Sequence, residues 1–317
     1  MIANLATATV PENMHNVRLD GALSLFLPGA GMRIRRRIFD THTVLVNGVP
    51  RSKGHTVSTG DQILLVEKTP RPETQEHETA ALNKEQLRLK KLHIVHEDSH
   101  FAAIYKPGGL HTATISGKST PSLEAELPAL FADRLTSEDH QPILVNRLDY
   151  LTSGMVMAAK SDTAATLFRE IENAGAVEKI YLLLVHGSVP APLVVTNKLD
   201  MAKRKKTKVL EEPDTDPLRH TTFLPLLETT VPDDPSSTAT LLMAAISKGA
   251  RHQIRAHIAS QGFPIVGDPL YGDDEASLTS DNTMYLHHYQ IELGSFSAMC
   301  PPEWETWNQW KGSIPSK

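Results

Sequence analysis

The stretch ILVNRLDYLTSGMVMAA, residues 143–159, sets a charged segment between two apolar runs. Residues 143–145 and 155–159 have the length and composition of buried β-strands, so the residues between them are predicted to connect two strand ends. Asp149 lies in that connection, where a rigid scaffold can direct a carboxylate into a cleft. The same pattern also fits a surface turn in which Asp149 pairs with Arg147, and this stretch alone leaves both interpretations open.

Apolar runs of strand length continue on either side of this stretch, and only two helical patterns interrupt them. Residues 162–173 repeat apolar side chains at helical spacing, with Leu167 and Phe168 on the apolar face, and residues 251–261 end before a glycine. Residues 212–237, with several Pro, Asp, Ser and Thr, are predicted to form a loop or insertion. Because strands outnumber helices, we expect an α+β fold with a mixed, mainly antiparallel β-sheet flanked by helices and loops. The predicted strands are residues 101–104, 143–145, 155–159, 180–185, 238–246 and 285–293.

Charge is distributed unevenly along the 317 residues, whose formal net charge is -5. Residues 17–66 contain seven Lys or Arg against three Asp, a local charge of +4, which indicates a small basic module ahead of a larger acidic one. Within it, two short helices are predicted before an apolar run that ends in Asn47-Gly48, a strong signal for a tight turn. The following residues are rich in Glu, Lys, Gln and Pro, as linkers are. The predicted organisation is a small α/β domain over 15–68, a linker over 69–92 and a larger domain over 93–312.

Composition excludes several classes of protein. No stretch approaches the ~18 consecutive apolar residues of a membrane-spanning helix, and the N-terminus lacks the basic start and apolar run of a secretory signal. The single cysteine, Cys300, favours a reducing cytoplasm. No Gly-rich phosphate loop is present, and His252 and His257 are off the four-residue spacing of a helical zinc pair. We therefore expect no membrane partner, no metal and no cofactor.

Four segments, in order along the chain, resemble one known family, the RluA-type RNA pseudouridine synthases. NRLDYLTSG at 146–154 is similar to that family's His-Arg-Leu-Asp-x-x-Thr-Ser-Gly signature, and YKPGGL at 105–110 is similar to its Asn-Lys-Pro-x-Gly-Leu segment. Lys179 and Tyr181 match its Lys-x-Tyr strand, and residues 249–272 are close to its C-terminal signature, which contains a His-Gln-x-Arg motif.

Two places depart from the family's pattern. Asn146 stands where a histidine is usual, and Ala250-Arg251 stands where Arg-Thr is usual. Neither departure touches Asp149, so they bear on the fit of the substrate more than on activity.

The resemblance implies an enzyme that isomerises uridine to pseudouridine in structured RNA, without metal or cofactor. It makes Asp149 the catalytic carboxylate, which attacks the uracil ring or the anomeric carbon or removes a sugar proton. Arg255 is expected to pair with Asp149, and Tyr181 to stack on the base. Because the target base must be flipped out of the RNA, Arg147 is expected to fill the gap it leaves or to hold its phosphate.

The basic module resembles the S-four-like RNA-binding domain, through RLD at 18–20, the basic helix, VLVNG at 44–48 and VSTGD at 57–61. The resemblance implies phosphate contacts that position the enzyme without reading sequence. A second basic run, six Lys or Arg against one Asp in residues 198–208, is predicted to clamp phosphates. The residues expected to bind the substrate besides Arg147 are Arg33, Arg36, Arg37, Arg51, Lys203, Arg204, Lys205 and Lys206.

Large-subunit ribosomal RNA is the favoured substrate, because the attached RNA-binding module suits a large RNA, and transfer RNA is the alternative. A non-catalytic RNA-binding protein of ribosome assembly is a rival function, which the intact set of Asp149, Tyr181 and Arg255 disfavours. A nucleoside hydrolase is disfavoured because the basic elements suit a polymer. We expect a cytoplasmic monomer.

Overall fold

A computed structural model shows two separately packed units, Met1–Ala80 and Ala81–Lys317. The structure describes residues 6–29, 35, 38–39, 42–67, 86–115, 120–134, 142–202, 205–232, 234–272 and 283–315. Each unit has a hydrophobic core of its own. None of the described helices is long and apolar enough to cross a membrane.

The N-terminal unit contains a four-stranded antiparallel sheet in the order β1-β6-β3-β4, with β2 paired separately to β5. Asn47 and Gly48 have φ of 50° and 79°, the positive values of a two-residue hairpin turn, so the predicted turn is confirmed. β1 lies ahead of residue 15, the predicted start of the domain. Its elements are β1 (Ala6–Thr9), β2 (Val17–Arg18), α1 (Leu19–Ala22), β3 (His42–Val46), β4 (Val49–Pro50), β5 (Thr56–Val57) and β6 (Gln62–Glu67).

The larger unit contains twelve of the described strands and four of the described α-helices. The strands are β7 (His93–Glu97), β8 (Phe101–Lys106), β9 (Ile143–Leu144), β10 (Ser153–Ala159), β11 (Val177–His186), β12 (Leu193–Val195), β13 (Asn197–Asp200), β14 (Lys208–Pro213), β15 (Thr221–Val231), β16 (Asp234–Ile246), β17 (Leu286–Leu293) and β18 (Phe296–Met299). The helices are α2 (Leu123–Leu130), α3 (Asp162–Asn173), α4 (Gln253–Ser260) and α5 (Trp307–Trp310), and residues 86–89 are also helical.

Ten of these strands form one sheet, in the order β12-β15-β16-β11-β17-β10-β8-β7, with β18 also paired to β17 and β9 to β10. Among the strand pairs of the described residues, only β10 and β17 run parallel. The predicted α+β class with a mixed, mainly antiparallel sheet is therefore confirmed. β13 and β14 form a separate hairpin outside the sheet.

The predicted loop over residues 212–237 is wrong. β15 and the start of β16 occupy most of it as two long antiparallel strands. The prediction gave weight to Pro225 and to the polar Thr and Ser residues. Pro225 lies next to a register shift between the two strands, where a residue without an amide proton is tolerated, and threonine is a good strand former.

α3 has the predicted bounds, because the Ser161 hydroxyl accepts a hydrogen bond from the Ala164 amide (3.1 Å) and caps the helix. Phe168 is fully buried, but Leu167 is 37% exposed, so its assignment to the apolar face is wrong. Leu167 lies about a quarter-turn away from the centre of the face that packs on the sheet. α4 begins at Gln253 rather than 251, because His252 has a positive φ of 56°.

Gly154 makes the parallel pairing of β10 and β17 possible. It pairs with His288, and a Cβ atom at Gly154 would lie 2.4 Å from the His288 carbonyl oxygen. Its φ of +109° is also a conformation that side chains other than glycine rarely adopt. The close approach brings the residues that precede β10, including Asp149, to the middle of the sheet.

Candidate active site

The connection from β9 to β10 and the turn that precedes α4 line one cleft of about 1020 Å³. Tyr181 of β11 and Leu286 of β17 also line it, and both belong to the main hydrophobic core. The cleft is therefore built on the centre of the sheet, where the strands that carry its side chains are held on both sides.

Arg255, on the first turn of α4, joins two carboxylates. Its Nη1 donates to Asp149 Oδ2 (2.7 Å), while its Nε and Nη2 donate to the two oxygens of Asp268 (2.8 Å each). Burial lowers the pKa of Arg255, but the hydrogen bonds and charge of Asp268, and then of Asp149, outweigh burial and leave the pKa above its ordinary value. The structure therefore brings together the predicted pair, with a guanidinium that is always charged.

Asp268 is the partner that the sequence reasoning missed. It is fully buried, and its Oδ1 also accepts hydrogen bonds from the backbone amides of Leu270 (2.9 Å) and Tyr271 (3.2 Å). Asp268 lies within residues 249–272, the segment that resembles the family's C-terminal signature, so that resemblance contained the signal. The two-point contact fixes the plane of the guanidinium and so fixes where Asp149 meets it.

The backbone beside Asp149 is held from both sides. Thr112 Oγ1 donates to the Leu148 carbonyl (2.7 Å) and accepts from the Leu148 amide (3.2 Å), so it replaces a strand partner there. The Tyr150 carbonyl accepts from the Gly109 amide at 2.7 Å. Asp149 itself keeps a side chain that is 26% exposed. Its carboxylate therefore opens onto the cleft from a fixed backbone, unlike the surface turn with an Asp149–Arg147 pair.

Lys106 supports the same connection from beneath and was also missed. It is completely buried, and its ammonium donates to the carbonyls of Pro107 and Leu110 (2.9 Å each) and to that of Tyr150 (3.4 Å). Burial lowers the pKa of Lys106 to about 7, although the charge of Asp149 acts to raise it. A lysine in the YKPGGL segment thus ties the turn after β8 to the residues beside Asp149.

Tyr181 is buried and lines the cleft while its ring stacks on His288 at 4.5 Å with an angle of 15° between the planes. It therefore belongs to the core and to the cleft together. Burial, and to a lesser extent the charge of Asp149, raises the pKa of Tyr181, so its phenol keeps its proton at neutral pH. Lys179, two residues earlier, is buried and donates to Glu172.

His252 also lies next to Asp149, and the sequence had predicted no role for it in the site. Its Nε2 lies 3.7 Å from Asp149 Oδ1 and its Nδ1 lies 3.1 Å from the Tyr271 hydroxyl. Burial lowers the pKa of His252 more than the charge of Asp149 raises it. Among the described residues, no group of three or more His, Cys, Asp or Glu side chains could hold a metal ion.

Arg147 is exposed on the rim of the cleft, two residues from Asp149. The neighbouring Asn146, which departs from the family's histidine, accepts a hydrogen bond from the Met157 amide through Oδ1 (2.7 Å). Asn146 therefore braces β10 with its side chain. Ala250, the other small departure, lines the cleft with Arg251.

The residues expected to bind RNA through charge are only partly described. Lys205 and Lys206 are exposed between β13 and β14, and the Lys206 ammonium lies 4.9 Å from the centre of the Tyr271 ring. Lys198 of the same basic run pairs with Glu212 (3.3 Å), an acid that the local charge had left out. Arg51 is exposed in the N-terminal unit. Arg33, Arg36, Arg37, Lys203 and Arg204 lie outside the described residues.

Known proteins resemble this chain in sequence over most of its length. Residues 100–260 match the family RNA pseudouridylate synthase. Ribosomal large subunit pseudouridine synthase C of Haemophilus ducreyi is 31% identical over 304 residues, which cover 92% of this chain and 88% of the relative. Ribosomal large subunit pseudouridine synthase D of Nitrosomonas europaea is 28% identical over 299 residues, which cover 92% and 80% of the two chains.

The fold has counterparts among solved structures. Human RNA Pseudouridylate Synthase Domain Containing 1 aligns with a TM-score of 0.54 at 19% identity, covering 68% of this chain and 85% of that chain. This likeness concerns the α+β fold, while the match over residues 100–260 and the relative at 31% identity concern the sequence that builds the cleft. The chain therefore belongs to the RNA pseudouridylate synthase family, whose members are isomerases that act on uridines in RNA.

Proposed function

We propose that this protein converts uridine to pseudouridine in large-subunit ribosomal RNA, with Asp149 as its catalytic carboxylate. The observation that carries the proposal is the carboxylate of Asp149, which opens onto the cleft while its Oδ2 accepts a hydrogen bond from Arg255 at 2.7 Å. Two of the relatives are named for the large ribosomal subunit, which favours this RNA over transfer RNA.

The reaction rearranges one nucleoside without adding or removing atoms. The glycosidic bond between N1 and C1′ breaks, a bond between C5 and C1′ forms, the proton on C5 leaves and N1 gains a proton. Asp149 attacks the uracil ring or C1′, or removes a sugar proton, and each route needs it ionised. The guanidinium of Arg255, fixed by Asp268, places a permanent positive charge beside Oδ2 of Asp149.

Tyr181 is proposed to stack on the flipped uracil and to lie beside the C5 proton at the end of the reaction. Its ring lines the cleft, and its position in the central strand β11 gives it little freedom to turn. The raised pKa of Tyr181 keeps the phenol neutral, so the ring offers the base an uncharged surface.

Basic side chains around the cleft are proposed to hold the RNA while the base is flipped. Unstacking costs roughly a few kcal/mol, which phosphate contacts can offset. Arg147 on the rim is placed to fill the gap left by the base or to hold its phosphate. Lys205 and Lys206 project from the turn between β13 and β14, and with Lys203 and Arg204 they complete the proposed phosphate clamp.

The N-terminal unit is proposed to be an S-four-like RNA-binding domain over residues 15–68, separated by a linker over 69–92 from the catalytic domain over 93–312. The hairpin of β3 and β4 and the exposed Arg51 support this proposal. Arg33, Arg36 and Arg37 are proposed to contact phosphates. The working unit in this proposal is a cytoplasmic monomer.

The test is Asp149→Asn, which keeps the size of the side chain and removes its negative charge. The substrate is an unmodified large-subunit ribosomal RNA transcript that carries tritium on C5 of uridine, because formation of the new bond releases that tritium to water. We expect release by the wild type and a loss of at least about a thousandfold in the variant. Asp162→Asn, on the exposed first turn of α3, is the matched control and should release tritium like the wild type.

The outcomes separate the competing functions. An Asp149→Asn variant as active as the wild type would remove Asp149 from the mechanism. Release of tritium from transfer RNA but not from the ribosomal transcript would show that transfer RNA is the substrate. A wild type that is inactive on both RNAs while binding them would favour the non-catalytic ribosome-assembly function.

A further inference from the structure

We propose that Tyr271 is a positioning residue that couples the basic turn to the cleft around Asp149. The basic turn is defined here as the described residues 201–202 and 205–207 between β13 and β14. This inference rests on the proposed function, in which the basic turn binds RNA and Asp149 carries out the chemistry. Tyr271 is not among the residues that line the cleft, and it acts through His252 and Arg255.

The Tyr271 hydroxyl contacts both the backbone amide and the backbone carbonyl of one residue of the basic turn, Thr207. It accepts a hydrogen bond from the Thr207 amide (2.8 Å) and lies 3.1 Å from the Thr207 carbonyl, to which it can donate. The tyrosine and Thr207 are both buried. A single buried hydroxyl thus fixes the point at which the exposed Lys205 and Lys206 leave the body of the protein.

The same hydroxyl lies 3.1 Å from Nδ1 of His252, whose Nε2 is 3.7 Å from the Asp149 carboxylate. The hydroxyl has one proton and two neighbouring acceptors, the Thr207 carbonyl and the His252 nitrogen. When it donates to His252, a neutral imidazole carries its proton on Nε2 and presents that proton to Asp149. When it donates to Thr207, His252 must donate from Nδ1 and presents a lone pair to Asp149. The hydrogen bond between the Tyr271 hydroxyl and the Thr207 carbonyl therefore selects which tautomer of His252 faces the Asp149 carboxylate.

The ring of Tyr271 makes a second connection between the same two regions. The Lys206 ammonium lies 4.9 Å and the Arg255 guanidinium 5.3 Å from its centroid, distances at which a cation is attracted to an aromatic ring. One side chain thus contacts a cation of the basic turn and the cation that pairs with Asp149.

Arg251 ties the basic turn down independently of the Tyr271 hydroxyl. Its Nη2 donates to the Met201 carbonyl (2.9 Å), and its carbonyl accepts from the Thr207 hydroxyl (3.0 Å). Thr207→Val removes the hydroxyl from this contact, while the Thr207 backbone amide and carbonyl still meet the Tyr271 hydroxyl and the Tyr271–His252 contact stays. Loss of the turn alone and loss of the coupling can therefore be separated.

The experiment compares Tyr271→Phe, Thr207→Val and the control Tyr289→Phe in the full chain, with tritium release from the unmodified large-subunit ribosomal RNA transcript. Tyr271→Phe keeps the ring and removes only the hydroxyl. We expect kcat to fall about tenfold, the loss of one positioned hydrogen bond, while KM changes less than about threefold. Thr207→Val should raise KM by about three- to tenfold and change kcat by less than about twofold, because it loosens the turn alone. Tyr289, buried near Trp307 and outside the cleft, should tolerate the same change without effect on either constant.

A second measurement uses the protein without RNA. The ring nitrogen resonances of His252, assigned by their loss in His252→Gln, should shift in Tyr271→Phe and stay in place in Thr207→Val and Tyr289→Phe. This reading is independent of the proposed function: an inactive wild type would overturn that function, and the spectra would still decide whether Tyr271 sets the state of His252.

Two results would overturn the inference. A Tyr271→Phe variant with the kcat and the His252 resonances of the wild type would show that the hydroxyl has no effect on the site. An equal fall of kcat in Thr207→Val would show that attachment of the turn, rather than contact with His252, is what matters.

Discussion

Replacing Asp268 with Asn tests whether the buried carboxylate anchors the guanidinium of Arg255. Asp268 is fully buried and accepts four hydrogen bonds, two from Arg255 at 2.8 Å and two from the backbone amides of Leu270 and Tyr271. Asparagine has the same shape but one oxygen instead of two. If that oxygen takes the place of Oδ1, its NH₂ group must face the N–H of Arg255 Nε, a donor against a donor.

The expected cost follows from these contacts. Loss of a hydrogen bond to a charged group costs about 1.5–3 kcal/mol, and removal of one partner from a buried ion pair costs about 3–5 kcal/mol. Arg255 keeps Asp149 as a partner, and that carboxylate is partly exposed, so the lower part of the second range applies. We expect the free energy of unfolding to fall by about 3 kcal/mol, and kcat to fall with it because the guanidinium is no longer held toward Asp149.

The assay is urea unfolding, followed by tryptophan fluorescence and circular dichroism, together with tritium release on the fraction that stays folded. Asp162→Asn is the control, an exposed aspartate changed in the same way. An Asp268→Asn variant within about 0.5 kcal/mol of the wild type, the usual range of surface substitutions, would refute the anchoring role.

Two further predictions concern buried and exposed lysines. Burial lowers the pKa of Lys106 to about 7, while the unfolded chain carries an ordinary lysine, so between pH 7 and 9 the unfolded state binds more protons than the folded state. The free energy of unfolding of the wild type should therefore rise with pH relative to that of Lys106→Met, by up to about 1.4 kcal/mol per pH unit. Urea unfolding of both proteins at pH 7, 8 and 9 measures this. A difference in unfolding free energy between the two proteins that is the same at all three pH values would contradict the prediction. Changing Lys205 and Lys206 together to Gln should reduce the slope of log affinity against log salt for the ribosomal transcript by about 1.4–1.8, and an unchanged slope in filter binding would mean that neither lysine meets a phosphate.

The central strands of the larger unit were predictable because their signals are local, whereas six of its twelve described strands and the helices α2 and α5 were not predicted. The two apolar runs around Asp149 form β9 and β10, and the helical period of residues 162–173 gives α3 with its bounds. The long hairpin of β15 and β16 was missed because proline and small polar residues resemble a loop by composition. Only the pairing of the two strands shows that Pro225 lies next to a register shift, where the ladder tolerates it.

The site was predictable where one motif carries its own chemistry and unpredictable where the partner comes from elsewhere in the chain. The resemblance singled out Asp149 and Arg255, and the structure joins them. The anchor of Arg255 is Asp268, thirteen residues further on, and the support of the Tyr150 carbonyl is Lys106, forty-four residues earlier. Both residues lie in quoted motifs, but a motif does not say which side chain its members bind.

The unequal division of the Arg255 donors has a consequence for the proposed reaction. Two donors of Arg255 bind Asp268 and one binds Asp149. The guanidinium therefore stays in position when its hydrogen bond to the Asp149 carboxylate is lost. A carboxylate that forms a covalent adduct or takes up a proton loses its charge. In this site that loss would break one hydrogen bond, from Arg255 to Asp149, without displacing the guanidinium. The site would thus return to its starting arrangement after each turnover with little reorganisation of the surrounding protein.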